Sequence, residues 1–247
     1  MTYCLAMKLD EGLVFCSDSR TNAGADRVSA FSKMHRFSLP DDRQIALLSS
    51  GNLGTTQAVI EALERDMREA ADINLASAPY VSDLADYVGR LSRDMQNKYA
   101  PEGEEAGFNA EASFILGGQI KGAPQELYLI YPEGNHIHPS ERFPFFQIGE
   151  TKYGRPILDR IVAHDTPREI AMRCALVSMD STMRSNATVG PPIELLFLRA
   201  DNFSEPNPYH SFEATDPTLL KMRAAWNEEI VAAFNNLPSI AEVFSED

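Results

Sequence analysis

Residues 2–20 read TYCLAMKLDEGLVFCSDSR, and this stretch decides how the rest of the sequence is interpreted. Two short apolar runs, YCLAMKL and LVFCS, flank an acidic, glycine-containing turn at 10–12. Apolar runs on either side of such a turn are typical of a β-hairpin. The hairpin places Thr2 at the start of its first strand and Asp18 at the end of its second.

The remainder of the first half predicts two more strands, followed by two helices. The strands lie at 31–37 and 44–50, with a Leu-Pro-Asp-Asp turn between them. From residue 55 the apolar residues recur at the spacing of an amphipathic helix, and a second helical pattern follows a break around Pro79.

The second half repeats this order of strands and helices. The predicted elements are strands at 112–118 and 126–131, helices at 152–162 and from 166 to about 179, a strand at 192–199 and a helix from 216. The second of these helices begins with a capping box, in which Thr166 and Glu169 satisfy free backbone amides. Runs of strands separated from runs of helices predict an α+β layered fold. Without a linker or repeat, residues 1–247 are interpreted as one domain.

The composition disfavours several classes of function. A formal net charge of −14 argues against nucleic acid as a partner, because phosphate binding needs clustered Lys and Arg. No apolar run approaches the length of about 18 residues that a membrane span needs, and the first residues lack the features of a signal peptide. Three cysteines without paired spacing fit a reducing compartment, so we expect a cytoplasmic protein without a disulfide framework or metal site.

Thr2 is the first candidate for chemistry. An initiator methionine is removed when a small residue follows it, and removal would leave Thr2 with a hydroxyl and a free α-amine. An α-amine has a reference pKa of about 7.7–8.0, so it can accept the hydroxyl proton near neutral pH. We therefore predict that Met1 is removed and that Thr2 is nucleophile and base together.

Such a threonine needs a fixed backbone, a cation that lowers the pKa of its hydroxyl, and a carboxylate that orients the cation. The predicted first strand supplies the backbone. Asp18, in FCSDSR, and Lys33, in FSKMH, supply a carboxylate and a cation further along the chain.

This combination of motifs resembles the proteasome β-subunit family. A threonine before the first strand is followed by SDSR after a GLVF strand, and by a lysine ahead of an IALLSSG strand. A closer resemblance is to its bacterial Anbu (ancestral β-subunit) branch. The motifs are MTYC, SDSRTNAG, SSGNL, IGETKYGRPILDR and SMDSTMRSNATVGPP, and the resemblance extends from residue 2 to about residue 200.

The resemblance implies a four-layer αββα sandwich, the architecture of N-terminal nucleophile hydrolases. It implies that Thr2 is the nucleophile, Asp18 the orienting carboxylate and Lys33 the cation beside it. It also implies that the backbone amide of Ser50 or Gly51 binds the oxyanion, a donor that contributes roughly 3–4 kcal/mol to the transition state. The implied reaction is peptide-bond hydrolysis through an acyl-enzyme on Thr2, without a cofactor.

The sequence departs from the family pattern around the terminal amine. Glu150 stands where active subunits usually carry a serine, and Ser185 and Thr188 replace a later Asp-x-x-Ser pair. Hydroxyl groups can still hydrogen-bond the amine, and we expect Glu150 to supply the missing charge from the other side.

The family assembles into closed or open rings, so a homo-oligomer that accepts peptides or unfolded proteins is expected. Two other functions stay open from the sequence. One is hydrolysis of a non-peptide amide, which other N-terminal nucleophile hydrolases perform. The other is a non-catalytic scaffold, as in proteasome α-type subunits, although those subunits lack the terminal threonine.

The remaining chemistry-bearing side chains are predicted to be structural. His136 and His138 share one face of a predicted strand, but the nearest acidic residues fall on the other face, so no third metal ligand is evident. Structural roles are also predicted for Cys4 and Cys16 in the core, Arg20 and Asn22 in a loop, Trp226 in the core or a subunit contact, and the acidic tail 238–247 as a solvated end.

Overall fold

Two five-stranded antiparallel sheets lie face to face between two layers of helices. The computed structural model describes residues 1–22, 28–100, 109–240 and 243, and everything below refers to these residues. The predicted four-layer α+β sandwich is confirmed, and with it the order of strands, two helices, strands, two helices, strand and helix.

The helices and strands have the following bounds. In chain order they are β1 (Tyr3–Leu9), β2 (Gly12–Asp18), β3 (Arg20–Asn22), β4 (Val28–Ala30), β5 (Met34–Leu39), β6 (Arg43–Gly51), α1 (Leu53–Arg68), α2 (Val81–Tyr99), β7 (Ala112–Ile120), β8 (Glu126–Ile130), β9 (His136–Ile137), β10 (Phe145–Gly149), α3 (Arg155–Ile161), α4 (Arg168–Ser185), β11 (Ile193–Arg199), β12 (Tyr209–Phe212) and α5 (Pro217–Asn235). One sheet has the order β10-β1-β2-β11-β12, the other has the order β5-β6-β7-β8-β9, and β3 pairs with β4 alone.

Strand β1 is covered on both faces, which explains its continuous apolar sequence. Successive side chains of a strand point to opposite faces. Tyr3 and Leu5 therefore pack under the helices of the first sheet, whereas Cys4 and Ala6 pack between the two sheets. Because β1 pairs with both β2 and β10, its edges are covered as well. The start of β1 is thus held from every side.

Helices α1 and α2 cover the outer face of the second sheet, and α3 and α4 cover the first. Helix α1 begins after Asn52, whose side chain accepts a hydrogen bond from the amide of Thr55. An asparagine at this position satisfies one of the free amides of the first turn. Because this cap follows β6 directly, it fixes the direction in which α1 leaves the sheet.

The predicted capping box of α4 is wrong. The helix begins at Arg168 after Pro167, and the amide of Arg168 donates a hydrogen bond of 3.1 Å to the carboxylate of Glu11 rather than to Thr166. The hydroxyl of Thr166 instead accepts a hydrogen bond from the amide of Ala163 and donates one to the carbonyl of Ile161. Thr166 therefore closes the turn after α3, which leaves no hydroxyl for the first amides of α4.

Further differences concern strands and side chains. Strands β3, β4, β10 and β12 were not predicted, and β5 begins at Met34 rather than at residue 31. Strand β9 ends before His138, so the two histidines do not share a strand face. Trp226 is half-buried and is not part of the core, so of its two predicted roles the subunit contact stays a prediction. Cys4 and Cys16 are fully buried as predicted. Within the described ranges, no helix has the length and hydropathy that a membrane crossing requires.

Candidate active site

Thr2 immediately precedes β1 and lines a cleft of about 680 Å³. Its carbonyl oxygen accepts a hydrogen bond of 2.7 Å from the amide of Glu150, just after β10. Gly149 makes this approach possible, because its φ is +82° and a Cβ there would lie 2.0 Å from the Thr2 carbonyl oxygen. The backbone of Thr2 is thus fixed between β1 and the end of β10.

Asp18 joins Lys33 to the Thr2–Tyr3 peptide bond. Its Oδ1 accepts hydrogen bonds from the amide of Tyr3 at 2.9 Å and from Lys33 Nζ at 2.7 Å. Its Oδ2 accepts a bond of 3.2 Å from the amide of Gly190. Lys33 Nζ also donates to the carbonyl of Arg20 at 2.8 Å. Since Asp18 is fully buried and Lys33 nearly so, the pair is held in one geometry.

Burial changes the pKa values of the Asp18 carboxyl and of the nearby Met1 α-amine. It raises the pKa of the Asp18 carboxyl, and the charge of Lys33 and the amides of Tyr3 and Gly190 act in the opposite direction. The α-amine of Met1 lies in the same cleft, where burial and the charge of Lys33 lower its pKa against an opposing effect of Asp18. An amine at this place is therefore neutral, and able to accept a proton, over a wider pH range than an exposed one.

Ser50 and Gly51 line the cleft together with Thr2 and Lys33. Gly51 ends β6 with a φ of +112°, and a Cβ there would lie 2.2 Å from the carbonyl oxygen of Glu111. Glycine is therefore required where β6 gives way to α1. The amide of Ser49, the residue before Ser50, is already hydrogen-bonded to the carbonyl oxygen of Lys33 at 3.0 Å.

The three residues expected beside the terminal amine differ in their contacts. Glu150 is buried and contacts Thr2 through its backbone, while its carboxylate accepts a bond of 3.2 Å from the side chain of Asn186. Asn186 in turn accepts hydrogen bonds from the amide and hydroxyl of Thr188. Ser185 is exposed in the last turn of α4 and is not among the residues that line the cleft of Thr2.

Sequence reasoning missed Glu194 on β11. Its buried carboxylate accepts hydrogen bonds from Ser19 Oγ at 3.2 Å, from Ser32 Oγ at 2.7 Å and from the hydroxyl of Tyr209 at 2.7 Å. Ser19 follows Asp18 and Ser32 precedes Lys33, so Glu194 ties together the two segments that carry the ion pair. A lone acidic residue in the apolar strand sequence IELLFLR was the available signal.

Arg20 has the loop-stabilising contact predicted for it. Its Nη1 donates to the carbonyl of Ala187 at 2.7 Å, and its guanidinium lies against Gly190. The contact holds the loop after α4 against the segment that follows Asp18. The side chain of Asn22, to which a similar role was assigned, lies outside the described residues.

His35 lines the cleft, and burial lowers the pKa of its imidazole. The three cysteines and the other four histidines are not among the residues that line it. Burial raises the pKa of the Cys4 and Cys16 thiols, and that of the Cys174 thiol to about 12. His136 lies 3.3 Å from Asp86. The described part of the chain holds no group of three or more His, Cys, Asp or Glu that could bind a metal ion.

Two sheets are paired between helical layers, and a lysine–aspartate pair lies beside a threonine that precedes the first strand. Together these features define the class of protein as a proteasome subunit. The family model described as "Proteasome subunit" matches residues 2–198. A search of curated proteins gave no match.

Three solved structures show which branch of the proteasome subunit family this chain resembles. The chain is similar to Anbu (ancestral beta-subunit) from Yersinia bercovieri, with 41% identity and a TM-score of 0.89 over 96% of this chain and 98% of that one. It is 40% identical to the Anbu complex from Pseudomonas aeruginosa, with a TM-score of 0.90 over 96% and 97% of the two chains. Anbu from Hyphomicrobium sp. strain MC1 is 36% identical, with a TM-score of 0.87 over 96% and 99%. The chain therefore belongs to the Anbu branch of the proteasome subunit family.

Proposed function

We propose that the chain is a threonine peptidase that hydrolyses peptide bonds through an acyl-enzyme on Thr2 after removal of Met1. The observation that carries this proposal is the Asp18 carboxylate, which binds both Lys33 Nζ and the amide of Tyr3. One buried group thus fixes the reactive residue and the cation that activates it. The scaffold alternative gives no reason for this arrangement.

In the first half of the reaction, the free α-amine of Thr2 accepts the proton of the Thr2 hydroxyl, directly or through one water. The oxygen then attacks the scissile carbonyl. The positive charge of Lys33 favours the ionised hydroxyl, and Asp18 keeps that charge in place. The protonated amine next gives its proton to the departing amine of the substrate, so that an ester on Thr2 and a free product remain.

The second half uses the same groups in reverse. Water attacks the ester, the α-amine takes its proton, and the Thr2 oxygen receives that proton as the acid product leaves. In both halves the tetrahedral oxyanion is stabilised by a backbone amide at Ser50 or Gly51, a donor worth roughly 3–4 kcal/mol. We expect Glu150 to support the amine from the side of β10. Its carboxylate accepts a hydrogen bond from Asn186, which in turn accepts one from Thr188.

The proposal includes self-association and a cytoplasmic location. The Pseudomonas aeruginosa relative is described as a helical assembly, and an assembly that encloses the cleft of Thr2 would favour peptides and unfolded chains over folded proteins. The three buried free thiols fit a reducing compartment.

The decisive experiment is intact mass spectrometry of the untagged protein before and after a peptide epoxyketone. This reagent closes a ring on a hydroxyl and an amine together, so it reports a competent terminal threonine. We expect loss of the methionine mass, one adduct per chain, and no adduct in Thr2→Ala. Retention of Met1 would contradict the proposal and favour the scaffold.

Substrate class is tested with the same preparation. Cleavage of an unfolded protein such as reduced casein, lost in Thr2→Ala, supports the peptidase. Turnover of small non-peptide amides without any cleavage of unfolded proteins would instead identify an amidohydrolase of the same fold.

A further inference from the structure

One side of α5 carries a continuous stripe that the body of the protein covers only at its beginning. Leu219, Arg223 and Trp226 recur every three or four residues, so they share one side of the helix. Leu219 is fully buried, Arg223 forms an ion pair with Asp180 of α4, and Trp226 is half-buried. The first half of this stripe therefore attaches α5 to α4.

The second half of the stripe has no cover in the described chain. It continues with Ile230 and Phe234, and with Leu237 in the turn that follows the helix. These side chains are 49%, 70% and 62% exposed, and Ile240 beyond them is 68% exposed. Single exposed apolar residues are common, but a stripe that continues a buried one indicates a surface covered by something else.

A groove of about 870 Å³ lies elsewhere on the same molecule, between α4, β11, β12 and the first half of α5. Its floor is apolar and includes Leu176, Leu195 and Phe197, all of which are buried. Because the first half of α5 forms one wall, the distal half of the same straight helix cannot lie in it. Phe234 is 12 residues, or about 18 Å, further along the helix than Met222 in that wall.

The charges of the two surfaces are complementary. Four cations and one carboxylate line the groove, although the chain as a whole has a net charge of −14. The cations are Arg168, Arg173, Arg199 and Lys221, and the carboxylate is that of Glu169, which forms an ion pair with Arg173. Among the described residues, Arg168 and Lys221 form no ion pair. In the described residues 224–240 there is no Lys or Arg, and the acidic side chains are those of Glu228 and Glu229, both exposed on α5.

We infer that the distal stripe of α5, made of Ile230, Phe234 and Leu237, docks into the basic-rimmed groove of a second copy of this chain. The inference rests on the self-association part of the proposed function and does not depend on its peptidase chemistry. Stripe and groove are different surfaces, so every copy offers one of each. Such a contact either closes reciprocally between two copies or continues from copy to copy as an open assembly.

Two pairs of exposed substitutions test the two surfaces separately. The stripe variant is Phe234→Glu with Leu237→Glu, and its control, Ala232→Glu with Asn235→Glu, adds the same charge to the opposite side of α5. The groove variant is Arg168→Glu with Lys221→Glu, and its control reverses the exposed cations Lys98 and Lys121. Sedimentation velocity at matched protein and salt concentrations gives the size of each.

We expect the wild type and both controls to associate, and the stripe and groove variants to form smaller particles. A one-to-one mixture of the two variants should recover a larger particle, since one intact stripe then meets one intact groove. A stripe variant of wild-type size would overturn the inference, as would a monomeric wild type. Two dissociated variants that stay apart on mixing would also overturn it, because the stripe would then bind a different surface. Epoxyketone adducts measured on each variant report the peptidase proposal independently.

Discussion

The two ends of the chain are held in opposite ways. Strand β1, directly after Thr2, is paired on both edges and covered on both faces. Helix α5 spans nineteen residues, of which only Leu219 is buried. A nucleophile must be held to within a fraction of an ångström, and a strand that is fixed on both edges and both faces provides that. A surface that joins copies must stay uncovered until a partner arrives. Changes near Thr2 should therefore alter reaction rate, and changes in distal α5 should alter particle size.

Replacing Thr2 should have the largest effect on reaction rate and no effect on particle size. Thr2→Ala removes both the hydroxyl and the acyl-enzyme, so peptide hydrolysis should fall on the order of 10⁴-fold or more. The unfolding free energy should change by less than about 0.5 kcal/mol, because the side chain is only half-buried. Peptide turnover, chemical denaturation and sedimentation check the three expectations. Thr2→Ser is the control and should keep the adduct; substantial turnover by Thr2→Ala would contradict the assignment.

Breaking the buried ion pair should lower rate and stability together. Lys33→Met leaves Asp18 buried without its cation, which typically costs about 3–5 kcal/mol, and should slow adduct formation by on the order of 10²-fold or more. A buried carboxyl without its cation has a raised pKa in the folded state, so its protonated form is favoured there. The stability deficit should therefore be smaller near pH 4 and grow as the pH rises toward 7.

Denaturant-induced unfolding at pH 4 and pH 7 measures how the stability deficit of Lys33→Met changes with pH. Lys121→Met, at an exposed position, is the matched control and should change stability by less than about 0.5 kcal/mol. An equal deficit at both pH values would show that the lost charge is not responsible.

The pH dependence of adduct formation tests the pKa of the α-amine at Thr2. Burial and Lys33 lower the pKa of the Met1 α-amine in this cleft. Removal of Met1 would leave the amine of Thr2 in the same cleft, and we expect its pKa to be lowered for the same reasons. The neutral, reactive amine should therefore appear at lower pH than in an exposed terminus, and the rate should be half-maximal below about 7.7. Rates measured from pH 5 to 9 give the midpoint, and Lys33→Met should move it upward. A midpoint above 8 in the wild type would contradict this account.

Glu194 should contribute less, because it acts through its neighbours. Glu194→Gln keeps the shape but weakens the hydrogen bonds from Ser19, Ser32 and Tyr209, which should cost about 1–3 kcal/mol of stability. If it positions the ion pair, the midpoint of the pH–rate profile should also move. Glu205→Gln on the surface is the control. A loss of stability with an unmoved profile would assign Glu194 a structural role alone.

Removing the distal part of α5 should have the smallest effect on the individual subunit. Truncation after Asn227 deletes the uncovered stripe and leaves Leu219, Arg223 and Trp226 in place. The unfolding free energy at a concentration where copies are separate should fall by less than about 1 kcal/mol. Urea denaturation measures it. A loss of several kcal/mol would mean that the segment packs on its own subunit, and would remove the contrast between the two ends.

Much of the site could be predicted from sequence because its parts lie at the ends of strongly patterned strands. Thr2 and Asp18 lie beside apolar runs, and the resemblance to the proteasome β-subunit family implied their roles and that of Lys33. The structure brings Asp18 and Lys33 together at the Thr2–Tyr3 peptide. Glu194 could not be assigned, because its role depends on register. The pairing of Ile193 with Asp18 brings it beside Ser19 and Ser32, and no local pattern specifies that register.

Other features could not be predicted, because they depend on the rest of the structure or are too short to show a pattern. The capping box at Thr166 has the right local sequence, but the turn after α3 takes its hydroxyl. Strand β10 is five residues long and β12 four, too short for a reliable alternation. The periodicity of α5 was visible in Leu219, Ile230 and Phe234, yet a sequence cannot show where the helix leaves the protein beneath it. The tail 238–247 is described only for residues 238–240 and 243.

The charge of the chain makes ionic strength a control on its assembly. Two copies that each carry −14 repel one another over a distance that salt sets, about 8 Å at 0.15 M and about 30 Å at 0.01 M. The contact of α5 with a cationic groove acts over a few ångströms and is screened much less. Dilute buffer should therefore keep copies apart before they touch, while physiological salt lets them approach and leaves the short-range attraction largely intact.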